Sequence, residues 1–322
     1  MLKIFYKTLT RLIKEDCNFW SCLWLISGGY LIFCLHESYI HGWHSFYFAW
    51  LPYLIASPII LLVKWINEQV KLSLTILETL AKFIIAFNMA YLITPNLLTT
   101  PYPFVDMTLL HIDQWMHIHS VALMQFTIHH EIFKTLIIFS YTYMSATFIL
   151  LILFLALMGE NKRVNEIIVV TMIALFIASI TFYYFPAFGP GTVLHSPLFP
   201  NYAATELAQY QWVQHGLSPL GPHYFAGFVS IPSIHCFIAS IGIYTILTCK
   251  KYRLYLLPLL LIDALIIVAT MFLGEHYFID LVAAELLLGL IITGYKLCQH
   301  RYNSNINLSI KLDEKLISRT PH

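Results

Sequence analysis
Eight apolar stretches set the terms for what this chain can fold into: roughly residues 18–36, 45–63, 73–93, 135–158, 166–184, 233–249, 253–273 and 277–297. A helix needs about 20 apolar residues to cross the hydrocarbon of a bilayer, where every backbone N–H must find its partner inside the segment. The rest of the chain cannot coat a water-facing globule, because only 11% of the 322 residues are charged, against about 25% in soluble domains. The expected fold is an all-α polytopic membrane protein with about eight transmembrane helices. A net charge of +1, with no basic run outside short loops, excludes nucleic acid as a partner. The six cysteines, Cys17, Cys22, Cys34, Cys236, Cys249 and Cys298, show no paired spacing, which excludes a disulfide-stapled secreted domain.

Lysine and arginine set the orientation, since cytoplasmic loops retain them. Of 18 basic residues, 17 precede the first stretch, fall around the second and third, join the fourth to the fifth or the sixth to the seventh, or end and follow the eighth. Lys134 alone lies on the opposite side. Both termini are therefore expected in the cytoplasm. Residues 1–16 place Leu2, Phe5, Leu9, Leu12 and Ile13 at helical spacing among four basic residues, the pattern of an amphipathic interfacial helix. The chain divides into an N-terminal segment with two extra transmembrane helices (1–72), a six-helix core (73–298) and a polar, poorly ordered cytoplasmic tail (299–322).

The long connections fall on the non-cytoplasmic side. Phe104–Leu123, with Asp106 and Asp113, reads as a single helix lying at the outer interface, its two carboxylates serving as head-group contacts or as helix caps. Residues 185–232 hold seven of the 14 prolines and five of the 13 glycines, without one Lys or Arg. So many breakers mean irregular backbone, which a membrane protein tolerates only where protein or water covers it.

Three segments on that side carry groups capable of chemistry: Phe185-Pro-Ala-Phe-Gly-Pro-Gly191, Pro232-Ser-Ile-His235 and Gly274-Glu-His-Tyr-Phe-Ile-Asp280. His276 and Asp280 are four residues apart and share a helix face. Asp280 can then accept the Nδ1–H of His276 and leave Nε2 as the reactive atom, the base-and-orienter arrangement of hydrolytic triads. Ser233 is placed to cap a helix whose first turn contains His235, and a helix start favours an anion such as phosphate. Two His and one Asp also suit a metal, but no second acidic ligand is evident, so neither metal nor cofactor is expected. Glu78 and Lys82, four apart, read as a structural pair; Asp263 and Glu285 read as interhelical hydrogen-bonding groups within the membrane.

Pro-Ser-x-His followed about 40 residues later by His-x-x-x-Asp, each opening a transmembrane helix, resembles the type 2 phosphatidic acid phosphatase superfamily. The wording PSIH and FLGEHYFID after FPAFGP looks like its inositol phosphorylceramide synthase-like branch. The resemblance implies a His-His-Asp phosphoryl-transfer site: His276 as nucleophile through a phosphohistidine, Asp280 as its orienter, and His235 as the acid that protonates the leaving alkoxide and later activates the acceptor. Ser233, Gly189, Pro190, Gly191, Asp106 and Asp113 are the candidate substrate-binding residues. Relatives of the phosphatase branch carry an Arg about six residues before the nucleophile and a Lys/Arg-bearing first motif. Here the corresponding residues are Thr270 and the cation-free FPAFGPG.

The implied activity is transfer of a phosphoryl-bearing head group from a phospholipid to a lipid alcohol, with membrane lipids as both partners. Hydrolysis of a lipid phosphate or diphosphate is the alternative, and a non-catalytic lipid-binding or transport protein is the alternative of another class. The implied location is a bacterial inner membrane or a Golgi-type membrane, with the site on the non-cytoplasmic face.

Overall fold
The computed structural model describes residues 29, 78–84, 100–194 and 231–317, of which residue 192 and residues 301–317 are described by backbone alone. The described residues form nine helices, beside a helical fragment at 78–84, and no strand. In chain order they are α1 (Asp106–Trp115), α2 (Ser120–His129), α3 (Glu131–Thr142), α4 (Met144–Leu157), α5 (Asn161–Tyr184), α6 (Pro190–Leu194), α7 (Ile234–Thr248), α8 (Leu257–Phe272) and α9 (Phe278–Ile317). Five of the eight expected spans map onto α3–α4, α5, α7, α8 and α9. All of 18–36 but residue 29, all of 45–63, most of 73–93 and the interfacial helix expected at 1–16 lie outside the described residues.

By length and composition, α5 and the Phe278–His300 part of α9 are long and apolar enough to cross a membrane, and α3 with α4 makes a third if that bent pair is one span. The pair corrects the expectation of a straight helix over 135–158: it is bent by 58° at Tyr143. No proline causes this. Ser140 and Thr147, flanking the break, donate their hydroxyls to the carbonyls of Ile137 and Met144 at 3.0 and 2.8 Å.

The stretch expected as one interfacial helix is also two, α1 and α2. His117, at φ 60, ends α1. Its N–H bonds the Gln114 carbonyl at 3.0 Å, and that of Ile118 bonds the Asp113 carbonyl at 2.9 Å, the paired closure that usually employs glycine. At the other end of the chain, α9 continues to Ile317, where the sequence suggested a loose tail.

Buried aliphatic and aromatic side chains of α4, α5, α7, α8 and α9 form the core, among them Leu151, Ile168, Phe237, Ile266 and Leu288. Leu150, Leu157, Leu261, Leu286 and Leu290 point outward, exposed, as lipid-facing residues do. At one end of the bundle, Arg163 at the start of α5 donates to the hydroxyl and carbonyl of Thr248 at the end of α7, at 2.8 and 2.9 Å. Nearby, Lys82 pairs with Glu78 at 2.8 Å and donates to Asn165 at 3.1 Å, which makes Glu78–Lys82 structural. Antiparallel α5 and α7 are thus level at this end. Counting from the Arg163–Thr248 contact, α5 runs on to Tyr184 and α7 back to Ile234, so at a rise of about 1.5 Å per residue α7 begins roughly 10 Å short of where α5 ends. The start of α7 is therefore recessed.

Candidate active site
The recessed end is built from helix caps. Ser233 takes an extended conformation before α7, and its hydroxyl accepts the N–H of Cys236 at 3.2 Å. Its own N–H bonds the Asp280 carbonyl at 3.2 Å, which ties the first turn of α7 to that of α9. His235 is thereby fixed beside the α8–α9 loop. That loop starts at Gly274, φ 74, in the same paired closure that ends α1. The Thr270 carbonyl accepts the N–H groups of Glu275 and His276 at 3.2 and 3.1 Å, so the last turn of α8 clamps the backbone of His276.

The side chains then line up. Asp280 Oδ2 accepts the N–H of Tyr277 at 2.9 Å and lies 3.6 Å from His276 Nδ1. On the far side of the ring, His276 Nε2 stands 3.3 Å from His235 Nδ1. His276 and Asp280 are 5% and 0% exposed. At 3.6 Å the two groups are beyond hydrogen-bond distance; the charge of the nearby carboxylate favours the His276 tautomer with its proton on Nδ1, which leaves Nε2 as a lone pair toward His235. Because the two nitrogens of His276 face opposite ways, the three side chains do not converge on one point. Among the described residues no group of three His, Cys, Asp or Glu could hold a metal ion.

Helix α1 braces this arrangement from the side. Asp113 accepts the N–H groups of Phe278 at 2.7 Å and Ile279 at 3.1 Å, capping α9 from another element. Asp106 accepts the N–H groups of Phe188 at 3.0 Å and Gly189 at 2.9 Å, and the hydroxyl of Tyr277 at 3.1 Å. The two carboxylates are caps, of other segments rather than of their own helix. Gly189 has φ 95, and a Cβ there would run into the Glu275 carbonyl, so only glycine lets the FPAFGPG loop approach His276 this closely. Pro190 and Gly191 follow as the opening of α6.

Consequently the amides of Phe188, Gly189, Tyr277, Phe278 and Ile279 are already bonded to carboxylates. Thr270 is fully buried and donates its hydroxyl to the Ile267 carbonyl at 2.6 Å. Lys134, ion-paired with Glu131 at 3.4 Å, is the one described Lys or Arg on α1, α2 or α3.

Of the candidate residues, His235, His276, Asp280 and Ser233 come together directly. Asp106 and Gly189 join them through Tyr277, and Asp113 through the start of α9. Two contributors were not singled out in the sequence. Tyr277 is the hub that binds Asp106. Tyr141 of α3 stacks on His235, ring centroids 4.5 Å apart and planes within 18°. Tyr141 lies on the inward stripe of α3 with Ile137 and Ser140, but nothing in that spacing says which helix it meets. Deeper in, Glu285 accepts from Ser240 and from Cys236, the latter at 3.5 Å, and Asp263 packs against Gly242. These contacts join α9 and α8 to α7.

Burial raises three acids here. Asp113 is raised; Asp106 is pushed up to about 6 despite its amide donors, and Glu275, next to His276, to about 7. For Glu275 the folded value lies above the ordinary 4.5, so the folded state holds the proton more tightly than the unfolded chain. Its contribution is full below pH 4.5 and is lost as pH rises through about 7. Glu275→Gln is therefore expected to raise the thermal midpoint at pH 8 and to leave it unchanged at pH 4; equal shifts at both would refute the assignment.

No curated protein and no solved structure matches the chain significantly. A family model described as PAP2 superfamily matches residues 107–294, more than half of the chain and all the helices that build this site. With its buried His-His-Asp alignment set among apolar helices, the chain belongs to the PAP2 superfamily, whose members are lipid phosphatases and phosphotransferases.

Proposed function
We propose that the chain is an integral membrane lipid phosphotransferase of the inositol phosphorylceramide synthase-like kind. It moves a phosphoryl-bearing head group from a phospholipid to a lipid alcohol. The observation that carries the reading is the alignment of Asp280, His276 and His235, with the two imidazole nitrogens 3.3 Å apart. In the first step His276 Nε2 attacks phosphorus and the bond to the glyceride oxygen breaks. His235 gives its proton to that oxygen, releasing a diglyceride and leaving a phosphohistidine. In the second step the acceptor hydroxyl passes its proton to His235, its oxygen bonds phosphorus, and the N–P bond breaks. No metal or cofactor enters either step.

Two features favour an alcohol over water as acceptor. Thr270 is buried and uncharged where the phosphatase branch carries a cation, and FPAFGPG has none. The long, cation-free and aromatic-rich stretch 185–232 also supplies material to exclude water, which a transferase must do against about 55 M solvent. The broader reading follows the sequence. Eight helices cross the membrane, with 73–298 as the catalytic core, 1–72 as an N-terminal extension and 299–322 as a cytoplasmic tail. Both termini are cytoplasmic and the site opens on the other face, of a bacterial inner membrane or a Golgi-type membrane.

The test is incubation of purified protein with head-group-labelled phospholipid, with and without long-chain diols and ceramides. A new labelled lipid that appears only with the alcohol is expected. Label released into water at the same rate whatever alcohol is present would replace transfer by hydrolysis, and no turnover at all would leave a lipid-binding protein.

A further inference from the structure
We propose that Tyr141 is a positioning residue for His235, an inference that rests on the acid-base role given to His235 above. The imidazole of His235 has to serve twice, as a cation that protonates a leaving oxygen and as a neutral base that takes the acceptor's proton. Its ring must keep one orientation throughout, yet the torsion that turns a histidine ring has broad, shallow preferences. Ser233 fixes only the backbone of this residue, by capping α7. The ring itself is held by Tyr141.

The two rings are parallel within 18° with centroids 4.5 Å apart, an offset stack of the kind aromatic pairs favour. The phenol oxygen lies 3.4 Å from His235 Nδ1. With the planes nearly parallel, that oxygen sits over the imidazole rather than in its plane, so the contact is one of faces and not a directed hydrogen bond. The stack leaves the edge of His235 turned toward His276, with Nδ1 3.3 Å from its Nε2.

The fold holds Tyr141 in place. The break at Tyr143 puts it in the last turn of α3, level with the first turn of α7. Its neighbours on the inward stripe, Ile137 and Ser140, are fully buried. At the other end of α3, Phe133 packs edge-on against Phe272, centroids 5.3 Å apart, which fixes α3 along the end of α8. The bend that a straight span would lack thus delivers a flat ring to the face of the general acid.

The experiment separates positioning of an acid from support of the fold by the leaving group. A glyceride alkoxide needs a proton to leave; p-nitrophenolate does not. Wild type, His235→Ala, Tyr141→Phe and Tyr141→Leu are assayed in detergent on a labelled phospholipid and on a p-nitrophenyl phosphodiester. Tyr141→Leu is expected to lower the first-turnover rate of phosphoenzyme formation on the phospholipid by about 10- to 100-fold, a part of what general acid catalysis supplies, while the burst of p-nitrophenolate, released before His235 is needed as a base, stays nearly intact. Tyr141→Phe, which keeps the stack, is expected to behave as wild type. His235→Ala should show the same split between substrates, more strongly.

Equal losses on both substrates in Tyr141→Leu, or none on the phospholipid, would overturn the inference, as would a Tyr141→Phe as impaired as the Leu variant. Should Leu lower the thermal midpoint, Tyr141→Met carries the same expectation. If His235→Ala shows no split while wild type is active, it is the acid role of His235 that fails. If wild type turns over neither substrate, the enzyme reading fails and this inference with it.

Discussion

His276→Ala is expected to remove turnover and the covalent intermediate together, and Asp280→Asn to cost about 10³- to 10⁴-fold in kcat with the fold intact. The reason lies in the two ends of one ring. Asp280 Oδ2 stands 3.6 Å from Nδ1 and accepts the N–H of Tyr277 at 2.9 Å. Both contacts fall on the same oxygen, so an asparagine that keeps its oxygen there retains the Tyr277 bond and loses only the negative charge. Without that charge the imidazole no longer favours the proton on Nδ1, and the positive charge that develops on the ring as Nε2 attacks goes uncompensated. The rate is lost through electrostatics and tautomer choice, without a cavity or a clash. The measurement is a brief incubation with ³²P-labelled substrate followed by denaturation. Phosphohistidine survives alkali and is lost in acid, so an alkali-stable, acid-labile label on wild type, missing from His276→Ala, is the expected result. Label that persists in His276→Ala would place the nucleophile elsewhere. An Asp280→Asn variant with wild-type kcat would show that the carboxylate only caps α9.

Much of this site was legible because its core is local. Ser233 and Cys236 are three residues apart and His276 and Asp280 four, so cap and tautomer control follow from the geometry of a single helical turn. Five of the expected apolar stretches coincide with described helices, because length and hydropathy report them. What escaped depends on contacts across the chain, or on breaks without a sequence signal. His117 closes α1 in a position where glycine would have announced the end. The bend at Tyr143 has no proline or glycine beside it to announce it. Asp106 and Asp113 read equally well as head-group contacts or local caps. Their actual partners are 82 and 165 residues away, and no periodicity reports such a distance. Tyr141 reaches His235 over 94 residues and is invisible for the same reason.

The second large effect is expected at Asp106. Its carboxylate takes the N–H groups of Phe188 and Gly189 and the hydroxyl of Tyr277, and is 4% exposed. Asp106→Ala leaves three donors without their acceptor in a place water does not reach. At about 1–3 kcal/mol for each, the loss is a large part of the roughly 5–15 kcal/mol that holds a typical domain together. The thermal midpoint in detergent should fall steeply, and activity with it, because the freed segments are those on either side of His276. Tyr277→Phe removes a single bond and should cost far less. Asp106→Asn falls between: one oxygen still accepts, while its NH₂ group points at other donors. Its deficit carries a pH signature. Burial raises Asp106 from 3.8 to about 6, so its contribution to wild-type stability is full below pH 3.8 and declines as pH rises through about 6. Asparagine does not titrate, and the gap between wild type and Asp106→Asn is therefore widest near pH 4 and narrows toward pH 7. Midpoints measured across that range decide the matter. A gap that widens with pH would mean that the ionised carboxylate is the form the fold prefers. A loss of activity with every midpoint unchanged would mean that Asp106 touches the substrate instead of bracing the loop beside it.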